Sequence, residues 1–453
     1  MQKRDSFSSK FGVIAAAAGS AIGLGNIWKF PYIAGENGGG VFLVVYLIFI
    51  LLIGIPVMMS EFIIGRKAQQ NVFGAFRSLS KQGFWKIIGV MGVMAAFFIL
   101  SFYGTVAGWT MEYLYLAIKD SFSGQDSGAI ETMFTSFSSS AIKPVILQVI
   151  FMTLTALIVI GGIKKGIEKY TKILMPLLIV IILYLDITAV SLKGGSEGLK
   201  FLFNPDFSKL SPHLFIDALG HAFFTLSLGM GVLMTYASYF QKDTNLTTTS
   251  VNVAMADTII ALLAGIAIFP AVFAFNTEPA AGPGLVFITL PNIFEQIPGG
   301  FVFSILFFLL LAVAALTSSI SILEVVVAYL SEEKNISRTK ATIIAATAIT
   351  LTGVLCTLSM GPLSDFKIFG FTIFEILDKV ASNILLPLGG MLISIFVGWK
   401  LDKYIVTDEL SNYGTIKIVS LKLFMFLIRY LAPLAIFIVL LDGIGVLKLL
   451  FNY

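Results

Sequence analysis

The chain has 453 residues, 57% hydrophobic and 12% charged, with a net charge of +4. A soluble chain carries about twice that charged fraction, so a polytopic membrane protein is expected. One cysteine excludes an internal disulfide framework, two histidines argue against a thiolate or imidazole metal cluster, and no dense basic tract points to nucleic acid.

The first apolar run, 11–36, follows only MQKRDSFSSK, and no small-residue cleavage site ends it cleanly. A retained helix is expected there, not a signal peptide. Its middle reads GSAIGLGNIWKFPY, with three glycines followed by Asn26, Lys29 and Pro31, all of which weaken or end a helix. Further spans are expected near 41–65, 87–119, 144–161, 167–189, 212–240, 248–276, 300–330, 339–358, 371–399 and 421–449. Lysine and arginine concentrate in alternate loops (Arg66, Lys67; Lys164, Lys165; Lys334, Arg338), which places the N-terminus in the cytoplasm and, after eleven spans, the C-terminus outside. The polar connections 120–143 and 190–211 are then external, and the first, rich in Ser and Gly, is expected to have little fixed structure.

The sixth span breaks as the first does, at SLGMG, Ser227–Gly231. Two glycine-interrupted spans at matching places in two groups of five point to a secondary transporter built from inverted repeats. The repeats would cover 1–190 and 205–400, with 415–453 adding one C-terminal helix. Unwound backbone inside a membrane is tolerated only against protein or a water-filled cavity, where freed carbonyls suit a cation and freed amides suit a carboxylate. Close helix packing is the alternative reason for glycine in a span.

Four polar groups accompany the breaks: Asn26, Thr225, Asp257 in NVAMADTIIALL, and Thr317-Ser318-Ser319 in LAVAALTSSISILEV. Oxygen ligands of this kind suit a hard cation, and a carboxylate inside a span is costly and usually functional. The hydroxyls could instead bond back to their own helix. Glu61 is expected to satisfy backbone around the first break, and His221 to be a satisfied packing residue. No nucleophile elbow, zinc-protease, P-loop or paired-carboxylate spacing supports an enzyme.

The segments GSAIGLGNIWKFPYIAGENGGG, GIPVMMSEFIIGR, FFTLSLGMGVLMTYASY and LTSSISILE together resemble the neurotransmitter:sodium symporter family along essentially the whole chain. Paired helix breaks are themselves a property of that family, so the two readings are not independent. The resemblance implies an all-α protein of the leucine-transporter fold and two sodium sites. The first would use Ala21, Asn26, Thr225 and Asp257, with the substrate carboxylate completing it. The second would use Gly19, Ile22, Ala314, Thr317 and Ser318. The substrate carboxylate would meet the Leu24 and Gly25 amides and the Tyr103 hydroxyl, its side chain would face Ile99, Phe224, Ser227, Met230, Ser318 and Ile322, and Ala21, Gly23 and Thr225 would complete its site. Lys29 with Asp378 would form an external gate, although an interfacial lysine can also snorkel outward. Arg4 with Glu332, braced by Ser238 and Tyr239, would close the cytoplasmic path.

Departures from the family pattern narrow the expectation. Gly23 stands where monoamine transporters carry Asp, so the substrate must bring its own carboxylate. Asp257 stands where many relatives have Asn or Ser, which would replace the charge that chloride supplies elsewhere. Met230 replaces a bulky aromatic and can adapt to large ligands. Lys29 replaces Arg, Phe7 replaces Trp, and a twelfth span found in many relatives is missing. The expected protein is a sodium-coupled, chloride-independent symporter for an L-amino acid such as tyrosine, tryptophan, phenylalanine or leucine, in a bacterial inner membrane. A non-transporting amino-acid-binding receptor of the same fold is the alternative. The sequence sets no oligomeric state.

Overall fold

A computed structural model describes residues 5–275, 282–418 and 420–447. Among them the chain is helical throughout, with one isolated bridge between Ile368 and Phe371. Among the described residues nine helices are long and apolar enough to cross a membrane, and ten if a pair bent by 48° counts as one.

That bent pair is α1 (Lys10–Ala21) and α2 (Gly25–Glu36). The Ser9 hydroxyl accepts from the Gly12 amide at 3.0 Å and starts α1. At Ile22 the backbone turns extended, and the helix resumes as a π-helical turn over Gly25–Lys29. There follow α3 (Gly40–Ala68), α4 (Gly83–Ile118), α5 (Lys143–Ile160) and α6 (Ile163–Val190). The sixth expected span is two pieces, α7 (Pro212–Thr225) and α8 (Val232–Ala237). Between them Ser227, Gly229 and Gly231 all have positive φ, 55°, 78° and 78°. Glycine takes that region freely, and Ser227 takes it at a cost that is typically met beside a functional site. The series ends with α9 (Leu246–Ala274), α10 (Gly300–Glu333), α11 (Arg338–Leu358), α12 (Ile373–Lys400) and α13 (Leu421–Gly443).

The polarity of the molecule fits a bilayer solvent. Leu51, Leu157, Val180, Ile187, Leu351 and Leu434 face outward, while Asn26, Glu61, Thr225, Asp257 and Thr317 are buried. Exposed leucine and isoleucine cost nothing in lipid, whereas polar groups must find partners within the protein. α1 packs between α6, α9 and α10, and α8 packs against α3, so both breaks lie inside the bundle. Gly65 permits that second contact, since a Cβ there would fall within 2.1 Å of the Met234 carbonyl oxygen.

The expectation of little fixed structure over 120–143 is overturned. Ser127–Ser138 is a helix whose Asp126 cap accepts from the Ala129 amide at 2.7 Å. Ile130, Phe134 and Phe137 recur at helical spacing and form its inward stripe, with Phe134 stacked on Phe287 at 5.7 Å.

Candidate functional site

The two breaks touch. The Ser227 hydroxyl donates to the Ser20 carbonyl at 3.1 Å, and the Ser20 hydroxyl lies 3.3 Å from it. Every residue expected around the substrate lines one cavity here, with Ser20 added. The cavity is about 20 Å³, room for a water molecule and far too small for an amino acid. Tyr103 and Phe224 lie on its wall, and the Tyr103 hydroxyl accepts from the Leu24 amide at 3.2 Å. Gly23 has no room for a side chain, because a Cβ would lie 2.3 Å from the Ser318 hydroxyl oxygen and 3.0 Å from that of Tyr103. Met230, Ile99, Ile322 and the Phe224 ring supply the apolar wall.

Beside this cavity lies the Asp257 carboxylate, fully buried on α9. Oδ1 accepts from Asn26 Nδ2 at 2.7 Å and from the Thr225 hydroxyl at 2.8 Å. Oδ2 faces the Tyr46 hydroxyl at 3.3 Å. Among the described residues no lysine, arginine or histidine forms an ion pair with Asp257. Neutral donors alone leave most of a buried carboxylate's charge unbalanced, and a cation is the economical remedy. Asn26 Oδ1 currently accepts from the Gly23 amide at 3.0 Å. The oxygens of Asn26, Thr225 and Asp257 thus stand together next to Ala21, a donor set that fits sodium.

The second set lies across α1 from the first. The Thr317 hydroxyl is 3.0 Å from the Ala314 carbonyl and 3.4 Å from that of Ile22. The Ser318 hydroxyl is 3.1 Å from the Ile22 carbonyl and 3.2 Å from that of Ser20. Gly19 faces this set, since a Cβ on it would come within 3.6 Å of the Thr317 Cβ. The hydroxyls therefore reach across to the break as well as back along their own helix. No group of three or more His, Cys, Asp or Glu able to hold a metal occurs among the described residues. These oxygen sets suit an alkali cation, not a transition metal.

Other expected residues fall differently. Lys29 and Asp378 form no ion pair within 4 Å. Instead Lys29 Nζ stands 4.4 Å from the centroid of the Phe224 ring, and Asp378 accepts from the Ser382 hydroxyl at 2.8 Å. The flexible ammonium sits over this aromatic face of α7. Glu61 serves the second break, not the first: its Oε1 accepts from the Gly229 amide at 2.8 Å because α3 packs on α8. His221 is packed among Phe30, Phe42 and Tyr46, yet neither ring nitrogen has a hydrogen-bond partner, so it is buried but not satisfied.

Arg4 lies outside the described residues. Glu332 accepts from the Asn71 amide at 2.7 Å and from its side chain at 3.0 Å. The Ser238 hydroxyl donates to the Thr235 carbonyl, and the Tyr239 hydroxyl donates to Glu324 at 2.8 Å. Phe7 is buried against Tyr236, Tyr239 and Phe240. Two acids missed in the sequence belong here. Glu324 is clamped by both Arg338 Nη atoms, at 3.0 and 2.5 Å. Glu168 receives the Ser8 amide at 2.8 Å, the Ser8 hydroxyl at 2.5 Å and Lys172 at 2.6 Å, and so ties the start of α1 to α6. Tyr46 and Ser20 were missed as well. Ser20 lay inside the most telling motif, whereas nothing local marked Tyr46, one aromatic in an apolar run.

This geometry of two interrupted helices is matched by known proteins. A model of the sodium:neurotransmitter symporter family matches residues 4–132 and 129–451. The chain belongs to that family. It is 41% identical to the sodium-dependent transporter YhdH of Bacillus subtilis over 99% of both chains. A sodium-dependent transporter of Haemophilus influenzae is 37% identical, with 98% of this chain and 99% of that one covered. Among solved structures, MhsT in complex with L-phenylalanine superposes with a TM-score of 0.90 at 47% identity, covering 97% of this chain and 100% of that one. The family consists of sodium-dependent membrane transporters, not enzymes, and the chain has its all-helical leucine-transporter fold.

Proposed function

We infer that this symporter couples sodium entry to uptake of a large hydrophobic or aromatic L-amino acid, with two sodium sites and no need for chloride. The observation that carries this is the buried Asp257 carboxylate, held by neutral donors from both broken spans. It supplies a fixed negative charge where a sodium and a substrate carboxylate would meet. The substrate class rests on the apolar wall of Ile99, Phe224, Met230 and Ile322 and on the lack of room at Gly23 for an acidic side chain that would greet an amine. That MhsT is solved with L-phenylalanine supports the same class.

The residues act as follows. Asn26, Thr225 and Asp257, with the Ala21 carbonyl, hold one sodium. The Gly19, Ile22 and Ala314 carbonyls with Thr317 and Ser318 hold the other. The Leu24 and Gly25 amides and the Tyr103 hydroxyl receive the substrate carboxylate, which completes the first sodium site and makes the two ligands bind cooperatively. Because the cavity is too small for an amino acid, Tyr103 and Phe224 must swing aside to admit substrate. Release on the other side requires α1 to part from Glu168 and Phe7 from its aromatic pocket. Alternating access follows, since each ligand biases the two states unequally.

The topology proposed with this reading counts α7 and α8 as one crossing, giving eleven. Two repeats over 1–190 and 205–400 precede a last helix in 415–453. The lysine-rich loops face the cytoplasm of a bacterial cell and the C-terminus faces outside. Labelled amino-acid uptake into proteoliposomes, with sodium and chloride varied independently, tests the whole. Tyrosine, phenylalanine, tryptophan or leucine should enter only with inward sodium, and equally well in gluconate. Uptake indifferent to sodium, or displaced only by glycine and alanine, would overturn it.

A further inference from the structure

Where the last two spans meet, a group of cations remains that the transport site does not use. α12 ends in Trp399 and Lys400, Lys403 opens the short helix Lys403–Leu410, and Lys422 is the second residue of α13. Lys403, Lys422, Arg429 and Tyr430 border a cavity of about 280 Å³, with Met425 and Phe426 in its apolar lining.

Arg429 is the anchored member. Its Nε donates to the Gly398 carbonyl at 2.6 Å, at the C-terminal end of α12. Its guanidinium lies 5.3 Å from the Trp399 ring centroid, and Trp399 Nε1 donates back to the Arg429 carbonyl at 3.2 Å. Trp399 in turn meets Tyr430 edge-on at 5.5 Å. The backbone carbonyl and the ring together hold the guanidinium at the cavity while leaving its charge unpaired.

Among the described residues no carboxylate lines the cavity. Among the described residues Lys403, Lys422 and Arg429 form no ion pair. The acid nearest in sequence, Asp402, accepts from the Tyr404 amide at 2.8 Å and caps its own helix. Three cations around one hollow repel each other unless an anion sits among them. The rim is apolar and outward-facing, with Phe426, Tyr430 and the adjoining Trp399 each exposed over about half their surface (56%, 52% and 57%). Tryptophan and tyrosine exposed beside lysine are the composition of a headgroup-level belt.

A ligand that satisfies both halves of this surface is anionic at one end and apolar at the other. We propose that the cavity binds the headgroup phosphate of an anionic phospholipid in the leaflet facing the lysine-rich loops, with acyl chains along Phe426. Arginine meets phosphate oxygens through two parallel N–H groups, and flanking lysines add point charges on flexible stems. Basic pockets between membrane helices hold such headgroups by the same chemistry. A soluble phosphate would use the cations but leave the aromatic rim without a partner.

The test uses the full-length protein in detergent, titrated with phosphatidylglycerol or phosphatidylcholine, with bound lipid read by native mass spectrometry. Phosphatidylglycerol should be retained in preference to phosphatidylcholine. Each cation near a membrane surface contributes about fivefold, so Lys403→Gln with Lys422→Gln should weaken phosphatidylglycerol retention by about 25-fold and leave phosphatidylcholine unchanged. Lys164→Gln with Lys165→Gln, which are exposed elsewhere on the protein, should change neither. Arg429→Gln should act in the same direction, but it also removes the Gly398 contact, so the lysine pair decides the matter. Retained sodium-dependent uptake shows that the variants are folded and keeps this test separate from the transport reading. Equal retention of the two lipids, or an undiminished preference in the double variant, overturns the proposal. Displacement of the lipid by millimolar inorganic phosphate would make this a free-phosphate site and overturn the lipid assignment.

Discussion

Asn26 Nδ2 donates to both the Asp257 carboxylate, at 2.7 Å, and the Asp257 backbone carbonyl, at 3.1 Å. Two residues 231 positions apart thereby fix the first helix break to α9. Thr225, at the end of α7, donates to the same carboxylate oxygen. One acid therefore pins both interrupted spans, so any movement of either against α9 must exchange these hydrogen bonds for something else.

The charge on that acid is the feature to remove first. Asp257→Asn keeps the size of the side chain and discards its charge. Losing a charged hydrogen-bonding partner costs about 1.5–3 kcal/mol, so apparent sodium affinity should fall by roughly 10- to 150-fold. If the missing charge can be supplied by an anion, uptake by the variant should recover in chloride and not in gluconate. A variant that transports at the parent rate without chloride would refute the role given to Asp257.

Gly23 offers a steric test. A methyl group there would press on the Ser318 hydroxyl, 2.3 Å from the added carbon. Ser318 borders both the substrate cavity and the second oxygen set, so Gly23→Ala should weaken both ligands. An overpacking cost of about 1–3 kcal/mol predicts roughly a 5- to 150-fold rise in the substrate concentration for half-maximal uptake. Uptake of labelled substrate over a range of concentrations would measure it.

The Lys29 ammonium lies over Phe224, not against Asp378. Lys29→Met and Phe224→Leu should therefore show coupled effects on uptake, with an interaction of about 0.5–2 kcal/mol in a double-mutant cycle. Asp378→Asn should be independent of Lys29→Met. The opposite result, additive Lys29 and Phe224 with coupled Lys29 and Asp378, would restore the ionic gate.

Arg338 and Glu324 make a test of stability. Glu324 has no exposed side-chain surface, and its partners are Arg338 and the Tyr239 hydroxyl. Arg338→Gln leaves a buried carboxylate without its cation and should destabilise the protein by about 3–5 kcal/mol. Glu324→Gln leaves the cation, which is partly exposed, and should cost less. Chemical denaturation in detergent would show the order. Equal losses in the two variants would contradict the argument from burial.

Much of this protein was legible in its residues one after another. Hydropathy marks membrane spans because a helix crossing lipid must be predominantly apolar over about 20 residues. The glycines of GSAIGLGNIWKFPY and SLGMG mark breaks because they accept backbone that other residues resist. Asp257 announces itself because a carboxylate in an apolar run has no ordinary reason to be there. These are local signals, each carried by the identity of a residue and its immediate neighbours.

Contacts between distant segments were not legible. Glu61 lies on the span next to the first break, yet it bonds Gly229, because helix packing and not sequence proximity decides which amide it can reach. Lys29 chose an aromatic face over an acid for the same reason, and Tyr46 carried no sign that its hydroxyl meets Asp257. Ser127–Ser138 looked like loose loop until its stripe of Ile130, Phe134 and Phe137 found an apolar surface to cover. The apolar runs, their glycine breaks and the residues chemically out of place are all written in the order of residues. Which of them meet is a matter of folding, because a hydrogen bond or a ring contact depends on a few ångströms between segments that lie tens or hundreds of residues apart along the chain.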